Sequence, residues 1–215
     1  MKRRNVCRGR CKLTSDLPNL VAAGVVTSID GVWQRHVAAP FAASALQGRQ
    51  AYGRWGTRQG FPVLYLGRPL DSVVIEAYRH LVDPVEDEEQ AALLAEQLQT
   101  RVLVTVTLHV SDLLDLRHAG TRGQLGLTLD VLQSGTEDRL AYETCQRVAQ
   151  IAHQLGRHGV IAPAASKRGD TIALFTDNLP TAQQPQRSEE DQLWLQLPPD
   201  PRKEATRNLR IVRDS

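Results

Sequence analysis

Hydrophobic and polar residues alternate in the middle of the chain, and this alternation predicts β-strands. The clearest stretch is Arg101–Val110, whose apolar residues share one face: Val102, Val104, Val106, Leu108 and Val110. A shorter apolar run, Phe61–Gly67, ends in glycine and is typical of a buried strand. Two further short strands are predicted at Gly159–Ala162 and Thr171–Thr176.

A first helix is predicted directly after the Phe61–Gly67 strand. Pro69 and Asp71 open it, and Asp71 or Ser72 is the expected N-cap. Its inward face is defined by residues spaced i, i+3, i+4 and i+7: Val74, Ala77, Tyr78 and Leu81.

Two more helices are predicted further along the chain. One runs from about Glu86 to Gln99, and the acids at its start complement the helix dipole. The other covers Glu137–Leu155 and ends at Gly156. Its buried stripe consists of Ala141, Cys145, Val148, Ala152 and Leu155, so Cys145 is predicted to be a core residue and not a nucleophile.

The order of these elements predicts an α+β fold with one compact domain, because strands and helices do not alternate as regular βαβ units. We expect a mixed or antiparallel sheet flanked by helices. The composition divides the chain into a basic N-terminal extension (1–30), the domain (31–180) and a polar, proline-rich C-terminal tail (181–215). Within this tail only Leu193–Leu197 has the composition to become ordered, as an edge strand or a docking segment.

Charge and cysteine content exclude several classes of protein. The net charge is only +2, and the six Lys and Arg residues among the first twelve have no aromatic residues between them, so we expect a solvated arm and no direct nucleic-acid binding. Cys7 and Cys11 lack the further ligands of a structural zinc site, and no metal is expected. No apolar run is long enough for a membrane helix and no signal peptide is evident, so the expected location is the bacterial cytoplasm.

Standard catalytic motifs, such as the Gly-rich dinucleotide fingerprint or the zinc-binding His-Glu-x-x-His, do not occur in the sequence. What stands out is a segment rich in glycine and arginine, residues 48–60, which precedes the Phe61–Gly67 strand. Together with residues 159–175, it resembles the RES domain family, named for its Arg, Glu and Ser. In that family a Gly-Arg-Trp turn precedes a strand ending in Leu-Tyr and a helix carrying a glutamate. The resemblance covers about Val32 to Leu179.

The resemblance implies a function and a set of partners. Members of this family resemble ADP-ribosyltransferases in fold, and they degrade NAD⁺ or transfer its ADP-ribose to a protein. They are toxins neutralised by a cognate antitoxin, which often has an Xre-like helix-turn-helix domain. NAD⁺ is therefore the expected substrate and an antitoxin the expected partner, and a homodimer stays open.

By position, the family's residues fall on Arg54, Tyr65, Glu76 and Ser166, with Arg35 as a second family arginine. Cleavage of the nicotinamide–ribose bond develops positive charge on the ribose, which a carboxylate such as that of Glu76 stabilises. Arg54 would hold the pyrophosphate and Tyr65 would stack on nicotinamide. Ser166 would orient the ligand by hydrogen bonding, since no base is evident to make it a nucleophile. One departure is Gly56, where many members have Asn, and this puts the substrate preference in doubt.

Each candidate also has a purely structural interpretation. Glu76 is also explained as a solvated surface acid, Arg54 as a loop arginine, Tyr65 as a core residue and Ser166 as a turn cap. The leading hypothesis is a toxin that cleaves NAD⁺ by hydrolysis or phosphorolysis. The alternatives are a protein ADP-ribosyltransferase, a non-catalytic RES-like binding module and, less favoured, a DNA-binding regulator.

Overall fold

The structure is a computed structural model that describes residues 16–203, so Cys7 and Cys11 lie outside the described residues. The strands are β1 (Val26–Ala38), β2 (Val63–Arg68), β3 (Arg101–Asp115), β4 (Gly159–Pro163), β5 (Asp170–Phe175), β6 (Gln186–Arg187) and β7 (Gln192–Trp194). The helices are α1 (residues 16–22), α2 (Leu70–Leu81), α3 (Glu88–Gln97), α4 (Ala119–Gln124), α5 (Leu129–Gln133) and α6 (Arg139–Gln154).

The strands form one mixed sheet in which five strands close into a ring. β1 pairs antiparallel with β3 from Val26↔Leu114 to Ala38↔Arg101. The ring continues from β3 through β4, β5 and β2 and returns to β1, and only the β3–β4 pair is parallel. β6 and β7 pair with the N-terminal part of β3. The α+β prediction is confirmed, and the predicted edge strand near Leu193–Leu197 is β7.

Apolar side chains fill the molecule in three clusters. Apolar strand residues, among them Trp33, Leu64 and Leu108, pack inside the ring of strands. A second cluster buries the inner faces of α5 and α6 against β4 and β5, with Cys145 and Trp55 in it. A third packs α2 onto β3. Cys145 is fully buried, and burial raises the pKa of its thiol to about 11, in agreement with a core residue.

The N-cap prediction for α2 is wrong. The N-cap is Pro69, two residues before Asp71, so the helix begins at Leu70, and there is no side-chain capping hydrogen bond. Asp71 forms an ion pair with Arg168 (2.9 Å), and the buried Ser72 contacts a serine of another loop. Tertiary contacts therefore replace the expected local cap.

Further boundaries differ from the sequence prediction, among them those of the second helix, of α6 and of β3. The second helix is shorter, Glu88–Gln97, because the side chain of Asp87 accepts a hydrogen bond from Gln90 N (2.7 Å) and caps it there. Leu155 is 46% exposed although it was assigned to the buried stripe, because it is the C-cap of α6, beyond the last helical residue. β3 continues to Asp115, five residues beyond the predicted end.

The extension of β3 follows from a β-bulge. Its register with β1 shifts between Thr27 and Ile29, and Asp112 has a φ of 56°, a conformation that aspartate tolerates better than most residues. The bulge interrupts the alternation of apolar residues at this point, and pairing resumes beyond it. The later part of β3 is the part that pairs with β4.

Within residues 16–203, no helix combines the length and hydrophobicity that crossing a lipid bilayer requires. In the same part of the chain, His, Cys, Asp and Glu side chains do not gather in groups of three or more that could hold a metal ion.

Candidate active site

The Gly-Arg-Trp segment forms a tight turn that is docked against β2. Gly53 and Gly56 exchange backbone hydrogen bonds of 3.0 and 3.4 Å, and the side-chain amide of Gln146 on α6 donates to the carbonyl oxygens of both. The hydroxyl oxygen of Tyr65 accepts a hydrogen bond from Trp55 N (2.8 Å). A side chain at Gly53 would collide with this hydroxyl, because its Cβ would lie 2.8 Å away. The close approach therefore requires glycine.

Two small adjoining cavities lie beside this turn. The first has a volume of about 80 Å³ and the second about 130 Å³. Tyr65, Glu76 and Thr171 line both of them. The other residues of the first are Arg54, Trp55, Arg79, His80, Leu132, Tyr142, Ala162, Pro163 and Ala165. The others of the second are Gln34, Arg35, His36, Leu66, Gly67 and Val73. The structure thus brings Arg54, Tyr65 and Glu76 together at one cavity and places Arg35 at the neighbouring one.

Glu76 projects from α2 into both cavities. Its side chain is 25% exposed, and its Oε1 atom is buried without a hydrogen-bond partner among the described residues. The basic side chains beside it are Arg79, with Nε 3.9 Å from Oε1, and His80, with Nε2 3.6 Å from Oε2. A buried carboxylate oxygen without a partner is costly, so Oε1 is available to a ligand group.

The guanidinium of Arg54 is held by the end of α5. Its NH1 donates to the carbonyl oxygen of Val131 (2.6 Å) and its NH2 to that of Ser134 (2.6 Å). It also lies 4.6 Å above the ring of Tyr142, a distance typical of a cation–π contact. Arg54 therefore stabilises the end of α5 by binding its carbonyl oxygens, and it also lines the first cavity.

Sequence reasoning did not single out Arg79, although it contacts Glu76 and lines the first cavity. It donates hydrogen bonds to the carbonyl oxygens of Ala165 and, from NH2 at 3.1 Å, of Ser134. The available signal was its spacing, since residues i and i+3 lie on the same face of a helix. Tyr142 and Thr171, which also face the cavities, left no comparable signal.

Arg35 extends from β1 to the second cavity. Burial, and then the nearby positive charge of Arg49, lower the pKa of its guanidinium to about 10, so it stays cationic at neutral pH. Its Nε is buried without a hydrogen-bond partner among the described residues. A buried cation with a free donor is suited to an anionic group of a ligand.

Ser166 does not line either cavity. It is 8% exposed, and its Oγ lies 2.7 Å from Ser72 Oγ and 3.1 Å from the carbonyl oxygen of Arg168. These contacts fix the β4–β5 loop to the first turn of α2, and the preceding residue, Ala165, lines the first cavity. They support a positioning role for Ser166, and its direct contact with a ligand stays a prediction.

The fold and the site together define an α+β protein whose cleft presents one carboxylate among several arginines. A sequence model of the RES domain matches residues 29–197, and the chain belongs to the RES domain family. Among solved structures, a chain of the M. tuberculosis MbcT–MbcA toxin–antitoxin complex is similar, with a TM-score of 0.69 and 23% identity. The match covers 85% of this chain and 93% of that one. No curated protein matches the sequence.

Proposed function

We propose that the protein is a toxin-type enzyme that cleaves the nicotinamide–ribose bond of NAD⁺, with water or phosphate as the acceptor. The observation that carries the proposal is the buried Oε1 of Glu76, which has no hydrogen-bond partner within residues 16–203 and lies in a cavity shared with Tyr65 and Arg54. A carboxylate in this position stabilises the charge that develops on the ribose as the bond breaks.

The neighbouring side chains have complementary tasks in this proposal. Arg79, 3.9 Å from Glu76, holds the carboxylate in place. The Nε donor of Arg35 at the second cavity and the guanidinium of Arg54 at the first bind phosphate oxygens. Tyr65 presents its ring to both cavities, where it provides a surface for the nicotinamide ring. The pKa of Tyr65 is raised by burial, so its hydroxyl stays protonated at neutral pH.

Membership of the RES family and the toxin–antitoxin complex in which the similar chain was crystallised both support a toxin. By this proposal the protein acts in the bacterial cytoplasm and is neutralised by a cognate antitoxin with an Xre-like helix-turn-helix domain.

The proposal is tested by incubating the purified, antitoxin-free protein with NAD⁺ and measuring nicotinamide release by chromatography. Circular dichroism of the same sample verifies that it is folded. We expect nicotinamide together with free ADP-ribose or, in phosphate buffer, its phosphorylated form. A folded preparation that releases no nicotinamide would eliminate the proposal. Radiolabel from NAD⁺ on a protein band, without free ADP-ribose, would indicate a protein ADP-ribosyltransferase.

A further inference from the structure

The carbonyl oxygen of Ser134 accepts hydrogen bonds from two arginines of the candidate site. Arg54 NH2 lies 2.6 Å from it and Arg79 NH2 lies 3.1 Å from it. Two guanidinium groups therefore converge on one neutral oxygen. Guanidinium groups bind the charged oxygens of phosphate more strongly than neutral carbonyl oxygens, because the hydrogen bonds are charge-assisted on both sides.

Ser134 begins the segment 134–138, which connects α5 to α6. On the other side of Arg79 lies a third cavity of about 510 Å³, and Gly135, Thr136 and Glu137 of this segment line it. Arg79 lines both this cavity and the 80 Å³ cavity that contains Glu76. Arg79 and the segment therefore lie between a small cavity and a larger one.

The two cavities at Glu76 are together smaller than a typical ligand site. Ligand sites have volumes of roughly 300–1,000 Å³, whereas the two cavities at Glu76 measure about 80 and 130 Å³. Displacing the segment 134–138 would open the smaller cavity to the third one and free the NH2 group of each guanidinium, while Arg54 NH1 stays bonded to Val131 and Arg79 NH1 to Ala165. It would also move the Glu137 carboxylate, which lines the third cavity together with Arg79, and less negative charge in this cavity favours an anion there.

We infer that the segment 134–138 is a lid whose Ser134 carbonyl occupies the position of a ligand phosphate oxygen. The phosphate displaces the lid, and Arg79 and Arg54 then bind it as a pair. Arg79 is thus a phosphate-binding residue of the site. The inference rests on the proposed function, since it identifies the pyrophosphate of the dinucleotide as the group that opens the lid.

A different explanation of the same contacts is that Arg54 caps the carbonyl groups at the end of α5 and nothing moves. The two explanations predict different effects of an added anion on the segment 134–138. If the segment is a fixed cap, pyrophosphate cannot reach the guanidinium groups that Ser134 occupies. If the segment is a lid, pyrophosphate displaces it and binds these groups.

Inorganic pyrophosphate is the probe, titrated into the full-length protein by calorimetry against sodium chloride of equal ionic strength. We expect the affinity of Arg79→Gln to be at least about tenfold below that of wild type, the loss of one charge-assisted interaction. Arg79→Lys keeps the charge but loses the planar donors, and we expect an intermediate affinity. Arg147→Gln changes the same charge at an exposed position of α6 and should bind like wild type.

Hydrogen exchange followed by mass spectrometry tests the lid itself. Deuterium uptake of residues 132–138 should rise when pyrophosphate is added to wild type. Absence of binding by wild type, equal affinity of folded Arg79→Gln, or unchanged or reduced uptake in this segment would each overturn the inference. If Arg79→Gln does not fold, Arg79→Lys with wild-type affinity has the same consequence.

Failure of this inference is distinguishable from failure of the proposed reaction. Binding that depends on Arg79, without nicotinamide release from NAD⁺, would leave the anion site and eliminate the reaction. Nicotinamide release with pyrophosphate affinity independent of Arg79 would leave the reaction and eliminate the lid.

Discussion

Replacing Gly53 with alanine places a methyl group against the phenol of Tyr65. The new Cβ would lie 2.8 Å from the hydroxyl oxygen, closer than packed atoms approach each other. The same oxygen accepts the hydrogen bond from Trp55 N, so the ring cannot move away without stretching that bond. Overpacking costs about 1–3 kcal/mol and the weakened hydrogen bond about 1 kcal/mol more, so we expect a loss of about 2–4 kcal/mol in the free energy of unfolding.

A double-mutant cycle isolates this contact. Tyr65→Phe leaves the backbone N–H of Trp55 without its partner and should cost about 1–3 kcal/mol by itself. Without the hydroxyl, the atom nearest to the new methyl group is Cζ at 3.4 Å, an ordinary contact. Gly53→Ala should therefore cost less than about 1 kcal/mol in the Tyr65→Phe background, so that the two substitutions are not additive.

Urea unfolding followed by tryptophan fluorescence provides the four free energies of this cycle. Gly123→Ala is the matched control, because its Cβ meets no atom within 4 Å and the residue lies in α4. We expect this control to be neutral or to stabilise by up to about 1 kcal/mol. Additive substitutions, or a Gly53→Ala variant as stable as Gly123→Ala, would refute the proposed packing of the turn.

Three further predictions concern stability. Burial, and then the nearby Arg101, lower the pKa of His36 to about 3. In the unfolded chain this imidazole takes up a proton near pH 6.5. The free energy of unfolding should therefore fall by up to about 1.4 kcal/mol per pH unit as the pH drops below 6.5. Urea unfolding between pH 7 and 4 should show a shallower slope for His36→Gln, and equal slopes would contradict the assignment. Gly169 has a φ of 64°, and an added Cβ would lie 2.1 Å from the backbone oxygen of Arg68. Gly169→Ala should therefore lower the free energy of unfolding by at least about 2 kcal/mol. An unchanged urea midpoint of unfolding would contradict this prediction. Ser166→Ala leaves the buried hydroxyl of Ser72 without its partner and should cost about 1–3 kcal/mol, whereas a stable variant with impaired NAD⁺ binding would favour direct ligand contact.

The regular elements could be predicted because local patterns determine them. The long helix α6 and the strand β3 followed from the spacing of their apolar residues, and Cys145 was correctly assigned to the core. The cap of α2 could not be predicted in this way, because Asp71 and Ser72 interact with residues that are distant in sequence. The end of β3 could not be predicted either, because the bulge interrupts the alternation of apolar and polar residues before it.

The candidate site was predictable only in part. Resemblance to the RES family indicated Arg54, Tyr65 and Glu76, and the structure brings them to one cavity. The hydrogen bonds that hold Arg54 connect it to residues about eighty positions away, and no spacing in the sequence signals such contacts. The i, i+3 spacing places Arg79 on the same helix face as Glu76, but its contacts with Ala165 and Ser134, which come from two other loops, leave no such signal.

The most direct test of the central claim is the rate of nicotinamide release at saturating NAD⁺ for wild type and Glu76→Gln. Glu143→Gln, an exposed position on α6, is the matched control and should equal wild type. We expect Glu76→Gln to lower kcat at least about a hundredfold, because it removes a key electrostatic stabiliser of the transition state. A folded Glu76→Gln variant that turns over NAD⁺ at the wild-type rate would contradict it.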